Sequence, residues 1–324
     1  MTDQTAAVAA AAPPPALEPD ATGIAQPAGR VPVTTHELTV ATLNLENGER
    51  LDLLPGLVAG VPQLDALLLQ EGREWDCRGQ ERRFRAEGML APMGLDRSFL
   101  TRSTRSTLHQ LVFIRSARLR PVAHYTPDLP DVFHDQAGTV ELVADGLMMP
   151  LTVRSVHWPH WSGDARLSEA LKLTRYAAPG ACAVIAGDFN SLYPDCGTHE
   201  PEFEPDWARL PPHKRHHKTL PPGLRSCGTL ASDRRALGTL AEAGLASAGC
   251  LAGDMTPTVS AAADQGQGGR IDHILLSPML ARAVVPGSYQ VHVSDAGSQA
   301  SDHRMVSVRL DLTRVKLPAK AAGR

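Results

Sequence analysis

The chain has 324 residues, 43% of them hydrophobic, and a formal net charge of -3. That is enough apolar mass for one large core or two ordinary ones, and too little net charge for the whole molecule to attract polyanions indiscriminately. No apolar run reaches the roughly 18 residues needed to cross a bilayer, which excludes a spanning helix on length.

Residues 1–32 are rich in Ala and Pro ("AAVAAAAPPPALEP") and carry Asp3 where a signal peptide needs a basic start. They predict a disordered tail, since Ala and Pro bring too little apolar surface to offset the entropy of ordering. Residues 33–314 predict one domain and 315–324 a flexible C-terminal tail. Strand-length runs of Val, Ile and Leu follow in order at 37–45, 64–71, 109–115, 139–144, 150–158, 182–189, 270–277, 288–294 and 304–312. Helical patterns fall at about 80–90, at 164–178 starting from Asp164, and at 232–244, with Ser232 as cap and Gly244 as stop. Many strands with few helices predict an α/β domain of large sheets packed face to face with helices outside. The stretch 191–231 has no clear element and is rich in Pro, His and basic residues, the kind of long loop that is functional or disordered. Five cysteines, with no C-x-x-C pair, suggest neither a disulfide framework nor a structural zinc site. The thiol pattern and the lack of a recognisable signal predict a cytoplasmic protein.

Polar residues close the strands. Asn44 and Glu46 end the first, Glu71 the second, His157 the run from 150, and Asp188 and Asn190 the run from 182; Asp272 lies at the start of "DHILLS", and Asp302 and His303 precede the last strand. Strand alternation sends residues i and i+2 to one face, which would pair Asn44 with Glu46 and Asp188 with Asn190. Carboxylates and carboxamides without cysteine favour Mg²⁺, Mn²⁺ or Ca²⁺ over zinc. A carboxylate that aims water, an imidazole that meets a phosphoryl oxygen and an Asp that orients the imidazole are together the parts needed to hydrolyse a phosphate ester.

The ordered set "TLNLENG", "LLLQE", "SVHW", "IAGDFNS", "GRIDHILLS" and "SDHRMVSV" resembles the endonuclease/exonuclease/phosphatase superfamily, which includes deoxyribonuclease I and exonuclease III, over about residues 38–310. The resemblance implies a four-layered α/β sandwich, two mixed sheets flanked by helices. It implies Mg²⁺, with Mn²⁺ as a substitute, held mainly by Glu71 with help from Asn44, Asp302 and Glu46. It also implies that Asp188 orients the attacking water, Asn190 holds the scissile phosphate, His303 faces the phosphate with Asp272 behind it, and His157 contacts the phosphate.

Around this set the residues leave alternatives open. Trp158, in "HWPHW", is a candidate for stacking on a base or sugar, or a loop-packing residue. Arg209, Lys214, Arg215 and Lys218 belong to a tract without acidic residues that would form a basic lid for a phosphate-rich substrate, or a solvated loop. His273 points away from Asp272 by alternation and reads as structural. The function expected is a metal-dependent phosphodiesterase or nuclease on DNA or RNA. A phosphomonoesterase on a small-molecule, inositol or lipid phosphate is the alternative, and a non-catalytic binding protein the third reading. The partner expected is a phosphate-ester substrate, nucleic acid included, with no protein partner evident.

Overall fold

A computed structural model of the protein describes residues 36–126, 132–196, 203–260 and 268–316. The expected N-terminal tail and all but two residues of the expected C-terminal tail lie outside them. The strands in chain order are β1 (Glu37–Asn44), β2 (Leu64–Arg73), β3 (Arg97–Thr101), β4 (Leu108–Ile114), β5 (Leu119–Tyr125), β6 (Gly138–Ala144), β7 (Leu151–His157), β8 (Ala183–Asp188), β9 (Ala246–Ser247), β10 (Asp272–Leu276), β11 (Gln290–Val291) and β12 (Val306–Asp311). They form two mixed six-stranded sheets, in the orders β11-β12-β1-β2-β4-β3 and β5-β6-β7-β8-β10-β9.

All nine expected runs contain a strand, and the three strands not expected (β3, β5 and β9) all lie at sheet edges. An edge strand has one hydrogen-bonded neighbour and needs less apolar sequence, so its pattern is weak; β5 even tolerates Pro121, where its register with β6 shifts. The fourth edge, β11, shrinks to two residues of the seven-residue run at 288–294.

The layers follow from alternation. Inward residues of both sheets, among them Val40, Leu68 and Val112 from one and Val153, Val184 and Ile274 from the other, form a single core between the sheets. Outward residues Leu43, Leu67 and Phe113 pack under helices that contribute Leu54, Val58 and Leu90. On the other side Ile185 and Leu275 meet Leu173, Leu237 and Leu240 from helices Gly163–Leu173 and Arg235–Ala243. The architecture is therefore the expected four-layered sandwich.

Local expectations shift by a few residues. Helix Gly163–Leu173 is capped by Ser162, whose hydroxyl accepts from the Ala165 amide. Helix Arg235–Ala243 begins beyond Ser232, because the Ser232 hydroxyl is taken by Glu204 and Trp207; it stops as expected at Gly244, φ +108°. Cys196 and Cys250, 54 residues apart, form a disulfide, correcting the expectation of none; the fold joins two cysteines with no local spacing to betray them. Cys77, Cys182 and Cys227 are free, so the thiol pattern no longer argues for a reducing compartment. No helix among the described residues is long and apolar enough to cross a membrane.

One glycine fixes how the sheet delivers Asp188. Gly187 has φ +151°, and a Cβ there would lie 1.9 Å from the Val156 carbonyl oxygen and 3.1 Å from Nε2 of Gln70. Gly187→Ala is expected to lower the unfolding free energy by at least about 2 kcal/mol in urea titrations, since the neighbouring strand's backbone cannot retreat. A denaturation midpoint equal to the parent's would contradict this packing.

Candidate active site

Strand register places the polar ends side by side. Parallel pairing of β7 with β8 sets His157 opposite Asp188, and antiparallel pairing of β10 with β8 sets Asp272 opposite the same residue. In the other sheet, parallel β1 and β2 pair Asn44 with Gln70, which brings Glu71 next to it. A buried polar tie joins the sheets at this end. Gln70 Nε2 donates to Ser155 Oγ at 2.9 Å, and Ser155 Oγ donates to the Leu69 carbonyl at 3.2 Å. Both are fully enclosed, so these bonds are made inside a low-dielectric layer where leaving them unmade is costly.

Each of the two expected same-face pairs is built by a turn and not by strand alternation. β8 ends at Asp188, and the Asn190 amide donates to Asp188 Oδ1 at 2.8 Å; β1 ends at Asn44, and the Glu46 amide donates to Asn44 Oδ1 at 3.0 Å. These are the two-residue side-chain turns that Asp and Asn favour. Asn190, Glu46, Asn47 and Glu71 all have positive φ, between 46° and 67°, a cluster of backbone strain of the kind that accompanies functional sites.

Asp188 is the centre. Its Oδ2 accepts from Asn44 Nδ2 and Asn190 Nδ2, both at 3.1 Å, and lies 3.6 Å from His157 Nε2 and 3.8 Å from His303 Nε2. Each imidazole is backed by its own buried carboxylate. Asp135 Oδ2 is 3.1 Å from His157 Nδ1, and both oxygens of Asp272 lie within 3.0 Å of His303 Nδ1. Burial alone would lower both imidazoles. Asp135, Asp188 and Glu71 instead raise His157 to about 9, and Asp272, Asp188 and Asp302 raise His303 to about 10. Burial would raise the Asp135 carboxyl, but His157 and the hydroxyl of Ser106 hold it below the usual range.

Glu71 faces the same donors. Its Oε1 accepts from Asn44 Nδ2 at 2.9 Å and lies 3.6 Å from His157 Nε2, and its Oε2 accepts from the Asn47 amide at 3.0 Å. Asp302 is half-exposed, and its carboxyl is raised by burial and by the charges of Glu46 and Glu71. Glu46 is tied at 2.8 Å to Arg50. Glu46 and Glu71 thus stand close enough for their charges to act on Asp302, and their oxygens are the kind of donor that hard divalent cations prefer. Ligand-capable atoms of Asp188, Asp272 and His303 also lie within 4.8 Å of one another and could hold an ion. Asp272 is already engaged by His303 through both oxygens.

Several sequence expectations change. Trp158 has no exposed surface and packs edge-on against Phe189 with ring centroids 4.7 Å apart, so it cannot stack on a substrate. Its carbonyl instead accepts from Asn190 Nδ2 at 2.9 Å. Both Nδ2 hydrogens of Asn190 are thus committed, one to the Trp158 carbonyl and one to Asp188. Arg209 is paired with Asp206, Arg215 donates to the carbonyls of Trp207 and Leu210, and Lys214 is exposed on the short helix Pro212–Arg215. Of the four basic residues proposed, Lys218 alone borders the cleft that Asn190 lines. His273 is buried and bonds the Ser191 carbonyl, as a structural residue should.

Sequence reasoning missed Asp135, which stands in an irregular loop ahead of β6 with no strand-end motif; the adjacent ionisable pair His134 and Asp135 was its faint signal. It also missed Ser301, which donates to the Asn44 carbonyl at 2.7 Å and accepts from the His303 amide at 3.0 Å, coupling the two sides of the site. Thr258 was a third omission: its hydroxyl oxygen accepts from the amides of Ile271 and Asp272.

Behind Asp135 lies Glu169, buried, accepting from the His134 amide at 2.9 Å and raised by that burial to about 8. A carboxyl whose folded value exceeds its unfolded one stabilises the fold below its ordinary value near 4.5, and the contribution is lost as pH climbs through about 8. Urea titrations should therefore show the parent losing a few kcal/mol between pH 5 and pH 8.5 that Glu169→Gln does not lose. Equal pH slopes for the two proteins would contradict a neutral Glu169.

No protein-family profile matches the chain, and no curated protein matches it by sequence. Solved structures do. An AP endonuclease from Archaeoglobus fulgidus superimposes with a TM-score of 0.56 at 18% identity, over 85% of this chain and 99% of the other. An endonuclease/exonuclease/phosphatase family protein from Bacteroides thetaiotaomicron gives 0.56 at 16%, over 85% and 94%. A 3′–5′ exonuclease from Neisseria meningitidis gives 0.51 at 20%, over 85% and 100%. Two six-stranded mixed sheets flanked by helices match the fold of these endonuclease/exonuclease/phosphatase structures.

Proposed function

We propose that the chain hydrolyses phosphate esters, and that it is a divalent-metal-dependent phosphodiesterase acting on DNA or RNA. The carrying observation is Asp188 Oδ2, set between the Nε2 atoms of two imidazoles that each have a buried carboxylate behind them. The structural likeness to an AP endonuclease and a 3′–5′ exonuclease supports a nucleic-acid ester over a small one.

In this reading Asp188 orients a water and takes its proton as the water oxygen bonds to phosphorus and the ester P–O bond breaks. His157 and His303, kept charged by Asp135 and Asp272, present Nε2–H to the non-bridging oxygens, where negative charge grows. Asn44 and Asn190 hold Asp188 in place. Glu71, with Asp302 and Glu46 beside it, would hold Mg²⁺ or Mn²⁺, which when bound supplies positive charge to the phosphate and the leaving oxygen.

Purified protein with Mg²⁺ should cleave plasmid DNA or single-stranded RNA and bis-p-nitrophenyl phosphate, and lose this on chelation. Asp188→Ala and His303→Ala should each lower kcat/KM by about 100-fold or more. Full activity in both variants would remove the site from the chemistry. Cleavage of p-nitrophenyl phosphate without diester cleavage would replace the diesterase with a phosphomonoesterase.

A further inference from the structure

The two carboxylates that back the imidazoles are placed by different means. Asp272, behind His303, lies in β10 and is set by its register with β8. Asp135, behind His157, stands in the irregular stretch before β6, where no strand holds it, and an Asp carboxylate turns easily about its last bond. Yet its two oxygens have separate partners. Oδ2 lies 3.1 Å from His157 Nδ1, while Oδ1 accepts from Ser106 Oγ and has Ser103 Oγ and His134 Nδ1 each at 3.4 Å. With Oδ1 engaged on one side, Oδ2 is the oxygen turned to the imidazole.

Both serines come from the loop between β3 and β4, strands of the sheet opposite to the one that carries His157. The loop is itself braced. The Leu108 amide donates to Ser106 Oγ at 3.1 Å, and Ser106 Oγ lies 3.1 Å from Ser103 Oγ. The Ser103 amide donates to His109 Nδ1 at 3.1 Å, so the ring proton is on Nε2, which meets Asp76 Oδ1 at 2.8 Å. Ser103, His109 and Asp135 are buried, and water competes little for these bonds. The aim of Asp135 is thereby set from one sheet and used by an imidazole of the other.

We propose that Ser106, seconded by Ser103, is a positioning residue for His157: it acts through Asp135, fixing which carboxylate oxygen meets Nδ1 and so the line along which Nε2–H meets a phosphoryl oxygen. The serines supply for Asp135 what strand register supplies for Asp272. The inference rests on the phosphoesterase reading for what Nε2 meets, and on the hydrogen bonds alone for how the ring is held.

Solvent exchange of the two imidazole Nδ1–H protons, read by ¹⁵N-edited NMR, tests the brace without any turnover. In Ser106→Ala the His157 proton should exchange about tenfold faster than in the parent, while the His303 proton keeps its parent rate. Ser106→Thr, which keeps a hydroxyl, should restore the parent rate, and Thr104→Ala, exposed on the same loop, should leave it unchanged. With bis-p-nitrophenyl phosphate in Mg²⁺, Ser106→Ala should lower kcat about tenfold at unchanged KM. Melting curves establish that each variant folds, and Ser103→Ala gives the same readout should Ser106→Ala fail to. Parent exchange at His157 in a folded alanine variant, faster exchange at both imidazoles alike, or a parent kcat in an active enzyme overturns the proposal. The two readings fail separately. Selective exchange at His157 in a parent that turns nothing over removes the hydrolase and leaves the brace, whereas turnover without the selective effect removes the brace alone.

Discussion

A single carboxylate oxygen, Oδ2 of Asp188, carries the arrangement. It is buried at the edge of the core, where a bare charge is expensive, and the surrounding structure compensates with donors from three directions. Asn44 reaches it from the other sheet, Asn190 from the turn that follows it, and two imidazoles flank it at 3.6 and 3.8 Å. Neither imidazole would stay charged at such depth without its own buried partner, Asp135 or Asp272. The result is an alternation of charge, carboxylate to imidazole to carboxylate to imidazole to carboxylate, that needs each member to hold its neighbours.

The sheets make this possible by register. His157, Asp188 and Asp272 are cross-strand neighbours on three adjacent strands, so a shift by one residue in either pairing would scatter them. Gly187 lets β8 come close enough to β7 to keep that register, and the Gln70–Ser155 bond keeps the ends of the two sheets together beneath the site. Across the gap, Ser301 ties the His303 loop to the end of β1. Fold and site share these contacts, which is why the same residues appear in arguments about both.

Much of this was legible in the sequence because it was repeated locally. Central strands are apolar on both faces and end in polar residues, and the motifs around Glu71, Asp188, Asp272 and His303 stand at those ends. What was not legible depended on distance in the chain or on weak pattern. β3, β5 and β9 were missed because edge strands need little apolar sequence. Asp135 was missed because its partner His157 is in another strand, and no spacing rule links a loop carboxylate to it. Trp158 was left open between stacking and loop packing because nothing in "HWPHW" tells which tryptophan turns inward; the exposed one is Trp161. The tract 209–225 looked like a basic lid, yet most of its cations hold their own segment together, which only the folded backbone of 203–233 reveals. The Cys196–Cys250 pair belongs to the same class of long-range fact.

The most direct test of the central claim is the titration of the two imidazoles by ¹⁵N-resolved NMR, in the parent and in Asp188→Asn. If Asp188 sits between them, both His157 and His303 should titrate well above the ordinary histidine value. Removing the single charge of Asp188 should then lower the two together, because it withdraws a negative neighbour from each. An imidazole that titrates near the ordinary value in the parent, or that does not respond to Asp188→Asn, would contradict the account.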